Sequence, residues 1–487
     1  MRRFAALLAL LATSCATMEP KLGRPDPAIQ PSWPAGSPAL AHAEAALPAV
    51  TYKQIFTDRR LQTLIEQALV NNRDLMTAAA NIAAAREQYR IQRAQQFPQV
   101  DAQAGATLVG GTSGDFNTQY QIGVGVPNFE IDLFGRVRSL TNAQLQQYLA
   151  TEAGARATRL TLVSDVADAW LNYAADSSLL LIAQKTIESA QQSVRLTRIR
   201  LEGGIAPRTD LDQALLILSQ AEADLAQQQT LLAQDLNALQ LLVGRSVAPS
   251  LLPGSIDEAM PAIAEVPAGL DSYVLLRRPD VLQAEFQLRA ANANIGAARA
   301  ALFPRITLTG LLGLASSSLG GLFTGGAFGA SAGANATYSI FQAGAARANV
   351  RLTEAQRNAT LASYQRAVQT AFREVADALA RRATMDAQLS AAQRQQAAGA
   401  DSYMLTEARY RAGIDPFLNV LLAQRAYYTA QTALVQTKAT AARNRVALYQ
   451  SLGGDALLQS APVCPVDYVS SPQGATLATN CSRIVTP

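Results

Sequence analysis

The stretch "RRPDVLQAEFQLRAANANIGAARAALFPRI", 277–306, determines how the rest of the sequence is interpreted, because it occurs twice. Its twin is "NNRDLMTAAANIAAAREQYRIQRAQQFPQV", 71–100, at an offset of 206 residues. Further along the chain, "DVADAW" from Asp165 matches "EVADAL" from Glu374 at an offset of 209 residues. Since the matches keep their order, the sequence predicts a duplicated structural unit rather than shared composition.

Each copy continues, after a Phe-Pro pair, into residues that alternate between two faces. Proline restricts the residue before it to extended conformations, so a helix is expected to end and a strand to begin there. In "FGASAGANATYSI", 328–340, apolar side chains alternate with Gly, Ser, Asn and Thr, and similar runs begin at Val100, Tyr120 and Ile306. Four strands with one apolar face are typical of a membrane barrel, although a sandwich with one solvated face has the same pattern.

Very long helical patterns follow both strand pairs. Across residues 136–202 only an isolated glycine interrupts the pattern. In the next helix of each copy, apolar residues recur every three or four positions, which predicts coiled-coil packing. Gln228, Asp235, Thr437 and Asn444 are polar at this seam, so one wall is expected to face water; a helical bundle with polar residues that set specificity is the alternative.

A Gly-x-x-Pro sequence joins the two long helices of each copy. Gly204 and Pro207 form the first instance, and Gly413 and Pro416 form the second. Glycine permits a tight reversal of the chain, and proline is favoured in the first turn of the returning helix. Both sequences are therefore predicted to be helix-to-helix turns.

The N-terminus has the features of an export signal. The segment "MRRFAALLALLATS" has two arginines, an apolar run too short to span a bilayer, and small residues before Cys15. The surrounding "LLATSCAT" resembles a bacterial lipobox, whose cysteine is lipidated and becomes the mature N-terminus. An ordinary signal peptide with an incidental cysteine is the alternative.

These patterns divide the chain into segments that follow the duplication. The predicted segments are a signal peptide at 1–14, a lipidated extended segment at 15–53, a first unit at 54–260 with a β-hairpin at 99–133 and long helices at 136–202 and 208–243, a second unit at 261–454 with a β-hairpin at 304–341 and long helices at 343–411 and 416–452, and a C-terminal tail at 455–487. The predicted fold class is a mixed α and β membrane protein.

The composition argues against several functional classes. The 41 Lys and Arg and 37 Asp and Glu residues are scattered, which does not suit a nucleic-acid-binding surface. His42 is the only histidine, so neither a metal site nor histidine-based catalysis is predicted, and no cofactor is expected. Cys464 and Cys481 lie in the tail, where they can form a disulfide in an oxidising compartment; two unpaired thiols are the alternative.

Four strands leave two open sheet edges. An unpaired edge in hydrocarbon costs several kcal/mol per polar group, so the sheet is predicted to close with other copies of the chain. Two copies would give eight strands whose side chains nearly fill the interior, whereas three would give twelve strands around a water-filled lumen.

Taken together, these features resemble the TolC-like outer-membrane factors, and most closely their OprM-like lipoprotein branch. The motifs that carry the resemblance are the export signal, the duplication, "FEIDLFGRVR" after the second strand and "RAGIDPFLNVLLAQR" at the second turn. The resemblance implies a homotrimer with a twelve-stranded outer-membrane barrel, continued by an antiparallel coiled-coil tunnel in the periplasm. It also implies a periplasmic adaptor, an inner-membrane pump of the resistance-nodulation-division type and, because Ala16 is not aspartate, sorting to the outer membrane.

The resemblance further implies a gate at the periplasmic mouth of that tunnel, held by polar contacts among the turns. The residues that match are Thr209, Asp210, Tyr410 and Asp415, with Arg208 and Arg411 as expected partners of the aspartates. The alternative is that these are solvated loop charges, which contribute little.

The predicted function is a passive exit duct that conducts small molecules such as drugs and has no catalytic residues. A type I secretion duct is one alternative, because it shares this outer component. A structural lipoprotein that bridges envelope layers without conducting is another. An envelope hydrolase has the least support, since a single histidine offers no nucleophile–base pair, although a carboxylate pair stays open.

Overall fold

The computed structural model describes residues 17–23, 51–110, 116–265, 272–454, 466–469 and 476–479. Cys15, Cys464 and Cys481 lie outside these residues. The predicted lipidation and disulfide therefore stay predictions.

The order of elements in the first part of the chain is short helices, a β-hairpin and two long helices. These elements are α1 (Tyr52–Ile55), α2 (Arg59–Asn71), α3 (Arg73–Ala94), β1 (Asp101–Gly110), β2 (Phe116–Glu130), α4 (Arg136–Glu202), α5 (Arg208–Val243) and the short α6 (Ile256–Ala259). The second part repeats the order helix, hairpin, two long helices. Its elements are α7 (Pro279–Ala300), β3 (Arg305–Ser316), β4 (Phe328–Thr337), α8 (Ala345–Arg411), α9 (Phe417–Ser451) and two short paired strands, β5 (Val466–Val469) and β6 (Thr476–Thr479).

Helices α4 and α8 each contain 67 residues, which at about 1.5 Å per residue gives a length of about 100 Å. The second-unit helices were expected from 343 and 416, and both begin later. Helix α8 starts after Ala343 and Gly344, whose φ angles of 48° and 85° are not helical. Helix α9 starts after Pro416, an N-cap residue with an extended ψ of 156°. No helix of the described residues is long and apolar enough to cross a membrane.

The chain forms two compact units, and each long helix α4 and α8 contributes residues to both. One unit contains the antiparallel sheet, in the order β1-β2-β3-β4. Strands β1 and β4 are each paired on one side only within the described chain. Every residue of β4 is exposed, including Phe328 at 68%.

The pairing of β2 with β3 contains a β-bulge between Val126 and Phe129. Before the bulge Val124 is opposite Leu312, and after it Phe129 is opposite Leu308. An extra residue reverses which face the following side chains occupy. Glu130 is therefore on the polar face of the sheet, opposite Thr307, rather than on the apolar face.

Glu130 forms the ionic centre where this sheet meets the helices of the same unit. Its carboxylate accepts hydrogen bonds from Arg136 Nη2 at 2.7 Å and Arg136 Nε at 2.8 Å, and it pairs with Arg305 Nε at 2.6 Å. Beside it, the rings of Phe134 and Phe303 stack with centroids 4.6 Å apart. The motif "FEIDLFGRVR" thus joins the end of β2 to the start of α4.

The segment 17–23 packs against the same unit. Asn142 donates a hydrogen bond to Glu19 Oε2 at 3.1 Å, and Asn292 donates one to the carbonyl of Pro20 at 2.8 Å. Gly296 makes this approach feasible, because a Cβ at that position would lie 2.5 Å from Glu19 Cγ. The segment that begins two residues after Cys15 is therefore seated on α4 and α7.

The core of the other compact unit, which contains residues 154–281, surrounds the middle of α4. Trp170 is fully buried and donates its indole N–H to the carbonyl of Leu251 at 3.0 Å. Arg278 is also buried; it pairs with Asp280 and Glu374, each at 2.8 Å, and donates to the carbonyl of Ser451 at 2.7 Å.

The seam residue Asn444 does not face water. It is buried and donates a hydrogen bond to the carbonyl of Ala378 at 3.2 Å. For Asn444 the prediction of a water-facing wall is therefore wrong, and the alternative, a polar residue inside a helical bundle, is correct. A buried amide whose partner is fixed restricts helix register, as polar residues at coiled-coil seams do.

Candidate functional site

Both helix-to-helix turns have the same backbone hydrogen bonds. After α4, Ile205 N–H donates to the carbonyl of Arg200 at 2.9 Å, and Gly204 N–H donates to that of Leu201 at 2.9 Å. After α8, Ile414 N–H donates to the carbonyl of Arg409 at 2.9 Å, with the matching bond from Gly413 to Tyr410 at 2.9 Å. This pair of bonds is the Schellman motif, which ends a helix and reverses the chain.

The glycines are required by their backbone angles rather than by lack of space. Gly204 has a φ of 70° and Gly413 a φ of 73°, and a Cβ at Gly204 would meet no atom within 4 Å. Pro207 and Pro416 are N-cap residues, one position before the expected first helical turn, each with ψ 156°. The predicted turns are thus present, with the prolines just outside the returning helices.

The second turn is closed by an ion pair. Arg409 donates from Nε to Asp415 Oδ2 at 2.7 Å and from Nη2 to Oδ1 at 3.2 Å. This hydrogen bonding from Arg409 lowers the pKa of Asp415 below its ordinary value. The reversal of the chain returns Asp415 to a point beside Arg409, six residues earlier.

Within this chain, Arg208 and Arg411 contact carboxylates other than Asp210 and Asp415, and their role as partners of these aspartates stays a prediction. Arg411 pairs with Glu407 at 2.6 Å, and Arg208 approaches Asp212 at 3.8 Å. Each of these pairs is spaced four residues apart on one helix, where side chains meet directly. Both arginines are therefore exposed and meet a carboxylate of their own helix.

Tyr410 is part of a buried cluster rather than a solvated loop. Its side chain is 4% exposed, and its ring centroid is 5.3 Å from that of Phe417 at an angle of 55°. The cluster also contains Val194, Ala214 and Val420. Tyr410 is thus anchored by aromatic packing between the ends of the four long helices.

Arg200 is a member of the site that sequence reasoning missed. Its guanidinium lies 4.5 Å from the centroid of the Tyr410 ring, and Nη1 donates to the Tyr410 carbonyl at 3.1 Å. The positive charge of Arg200 also acts on Asp210, whose half-buried position raises its pKa while Arg200 lowers it by a smaller amount. The structure thus brings Asp210, Tyr410 and Arg200 together, whereas Thr209 is exposed.

A second polar group lies along the same unit's helices, away from the turns. Burial raises the pKa of Asp168 to about 6. Burial, the charge of Asp176 and a hydrogen bond with Asp176 raise the pKa of Asp235 to about 7. Arg443, whose charge lowers the pKa of Asp168 by less than burial raises it, donates to Asn172 Oδ1 at 3.0 Å. Among the described residues no group of His, Cys, Asp and Glu has the arrangement of a metal site.

The chain combines a four-stranded sheet that has an apolar face with two helices of about 100 Å, each ending in a Gly-x-x-Pro turn, and this combination is expected of an outer-membrane channel. The family model described as "Outer membrane efflux protein" matches residues 64–245 and 271–454. The chain belongs to this family.

Named relatives and solved structures agree with this membership. The toluene efflux pump outer membrane protein TtgI of Pseudomonas putida is 40% identical over 464 residues, which is 92% of this chain and 97% of TtgI. The antibiotic efflux pump outer membrane protein ArpC of Pseudomonas putida is 40% identical over 480 residues, covering 96% and 98% of the two chains. The crystal structure of the open state of the Neisseria gonorrhoeae outer membrane channel MtrE superposes with a TM-score of 0.81 at 34% identity, covering 90% of this chain and 98% of MtrE.

These comparisons confirm the predicted class, location and general function. The protein has the mixed α and β fold of outer-membrane channels, resides in the bacterial outer membrane with a periplasmic part, and is the outer-membrane component of an efflux system. The matched ranges 64–245 and 271–454 follow the internal duplication.

Proposed function

We propose that this chain forms a homotrimeric exit duct for small organic molecules, closed at rest by its two helix-to-helix turns. The observation that carries the proposal is the pair of matching turns, in which a glycine with positive φ ends the first helix and an aspartate, Asp210 or Asp415, lies within six residues after it. Conduction through such a duct needs no catalytic residue, cofactor or resident metal.

The trimer is supported by the sheet. Strands β1 and β4 each have one unpaired side, which is unfavourable in hydrocarbon. The apolar face includes exposed Val124 (50%) and Leu312 (53%), as expected of residues that contact lipid. Three copies would bring twelve strands together around a lumen wide enough for water and small solutes.

The gate is supported by the polar groups at the turns. In a trimer, Asp415 with Arg409, and Asp210 with Arg200 and Tyr410, would occur three times around the mouth. The ion pair of Asp415 holds the second turn in one conformation, and its loss would release the loop.

A periplasmic adaptor is supported by exposed apolar residues at the tips of the turns. Ile205 is 75% exposed and Ile414 is 62% exposed, at equivalent positions just after the glycines. Apolar side chains presented at such tips are suited to contact with a helical partner. An inner-membrane pump of the resistance-nodulation-division type would then supply the energy that the duct itself lacks.

The nature of the solute is supported by the relatives. TtgI is named for toluene efflux and ArpC for antibiotic efflux, so we propose small organic molecules for this chain. Type I protein secretion has no such support. A non-conducting structural lipoprotein would not need a sheet with one lipid-like face. We keep Cys15 as the lipidation site, in line with the seated segment 17–23 that follows it.

The test is single-channel conductance of the purified protein in planar bilayers, with oligomeric mass measured on the same samples. The wild type is compared with Asp415→Ala and with Asp212→Ala as a control, because Asp212 has only an exposed contact with Arg208. We expect a trimer of low conductance that increases in Asp415→Ala alone. Equal conductance in all three would refute the gate, and a sample that never conducts would refute the duct.

A further inference from the structure

Arg200 and Arg409 occupy the same position in the two copies of the duplicated unit. Both lie at the end of a long helix, four residues before the glycine of the turn, and both carbonyls accept the Schellman hydrogen bond from an isoleucine N–H. Their side chains nevertheless have different partners. Arg409 forms a two-point ion pair with Asp415 inside its own turn.

The difference follows from one residue. The position that holds Asp415 in the second turn holds Ala206 in the first. Arg200 therefore has no carboxylate at that position to retain it, and its guanidinium extends to the other turn instead. There it stacks 4.5 Å from the ring centroid of Tyr410 and donates to the Tyr410 carbonyl at 3.1 Å.

Arg200 also lies close to the backbone reversal of the second turn. A Cβ built on Gly413 would lie 3.9 Å from Arg200 Nη2, so the guanidinium borders the side of the glycine where a side chain would be. The Tyr410 carbonyl that it contacts also accepts the Gly413 N–H at 2.9 Å, a bond of the Schellman motif itself. The Arg200 side chain thus contacts the ring and the carbonyl of Tyr410 and lies beside Gly413.

From these contacts we infer that Arg200 is a positioning residue that couples the second turn of a protomer to the first, because it holds the ring and the carbonyl of Tyr410 in place. This role rests on the proposed gate, because coupling matters only where the turns open and close. A planar guanidinium is suited to this role, because it can stack on the Tyr410 ring and donate a hydrogen bond to the Tyr410 carbonyl at the same time. A Lys ammonium does this less well.

The coupling can be tested by amide hydrogen exchange, independently of conduction. In the purified wild-type trimer, exchange is followed in peptides that contain Ile205 and in peptides that contain Ile414. We expect Arg200→Gln to speed exchange at Gly413 and Ile414 by about five- to ten-fold, which corresponds to loss of one cation–π contact and one hydrogen bond. Exchange at Ile205 should stay unchanged, because its acceptor is the backbone carbonyl of residue 200.

The duplication supplies a second variant that keeps Arg200. Ala206→Asp places a carboxylate where the second turn has Asp415, so Arg200 is expected to pair within its own turn and to leave Tyr410. The same exchange increase at Ile414 should result, without loss of the arginine. Arg198→Gln, an exposed arginine two residues away, is the matched control and should change neither turn.

Conductance measured on the same samples separates the two proposals. Faster exchange at Ile414 together with higher conductance supports both the coupling and the gate. Faster exchange with unchanged conductance supports the coupling and refutes the gate. Unchanged exchange at Ile414 in Arg200→Gln overturns the coupling, whatever the conductance, and equal acceleration at Ile205 and Ile414 overturns it as well, because the substitution would then have loosened the helix ends generally.

Discussion

From the carboxyl pair Asp176 and Asp235 we predict that the compact unit containing residues 154–281 is more stable at pH 5 than at pH 8. Burial raises the pKa of Asp235 to about 7, next to the charge of Asp176 and a hydrogen bond with it. The folded state then binds more protons than the unfolded state between about pH 4 and pH 7. The stabilisation is fully present below the unfolded pKa and is lost as the pH rises through the folded pKa.

The size of the effect follows from the shift in pKa. A group that moves from an ordinary value near 4 to about 7 changes the free energy of unfolding by at most about 3 kcal/mol between pH 8 and pH 5. Asp235 is only half-buried, so solvent screening reduces this to about 1 to 2 kcal/mol. Asp168, with a pKa raised to about 6 by burial, adds a change of the same sign. The facing groups are Asp165, Tyr173 and Arg443. Burial also raises the pKa of Asp165, which changes stability in the same direction.

Thermal unfolding of the detergent-solubilised protein, followed by helical circular dichroism, measures this difference. We expect the midpoint of the wild type to be higher at pH 5 by at least about 2 °C, since 1 kcal/mol shifts a unit of this size by about 2 to 4 °C. Asp235→Asn should lose roughly half of the difference, because an amide keeps the shape but not the charge. Exposed Asp386→Asn is the control.

A wild type and an Asp235→Asn variant with the same pH dependence would refute the assignment of the effect to this pair. Stability that rises from pH 5 to pH 8 would refute the sign. The carboxylates whose pKa values are lowered, Asp58 and Asp415, do not interfere, because their stabilisation is lost only as the pH falls below about 4.

Two further substitutions test the ionic centres of the two units. Glu130→Gln should lower the free energy of unfolding of the assembled protein by about 1 to 3 kcal/mol, because Arg136 and Arg305 lose their shared carboxylate. An unchanged midpoint temperature of unfolding on heated detergent gels would contradict this. Arg278→Gln should cost about 2 to 4 kcal/mol, since Glu374 and a buried carbonyl lose their donor, and guanidinium unfolding should show Arg278→Lys to be intermediate.

The sequence predicted the periodic elements well because they repeat. The long helices and four strands have patterns of 3.6 or 2 residues that extend over many residues, and the duplication supplies each pattern twice. The face of Glu130 was not predicted, because a single extra residue in the bulge between Val126 and Phe129 exchanges the faces. Pro127 was the available signal, since proline cannot donate a ladder hydrogen bond and is often found at bulges.

The partners of the charged residues at the turns were harder to predict. Arginine near the end of a helix is common because it interacts favourably with the helix dipole, so Arg200 and Arg409 carried no distinctive signal. Arg411 appeared closer to Asp415 in sequence, but the Schellman reversal directs Asp415 back to Arg409. The contacts of a residue after a backbone reversal depend on the direction in which the chain leaves the helix. The periodicity of the sequence does not contain that information.

The two turns also indicate how a duplicated chain acquires different side-chain contacts at equivalent positions. The backbone of each turn is fixed by a glycine with positive φ and a proline N-cap, and both copies contain these residues. The side chains around that backbone are not constrained in the same way, so Asp415 in one copy corresponds to Ala206 in the other. Because an arginine stands at the same place in both, this one difference converts an internal ion pair into a contact between turns. Ala206→Asp therefore asks whether the asymmetry can be removed by a single carboxylate.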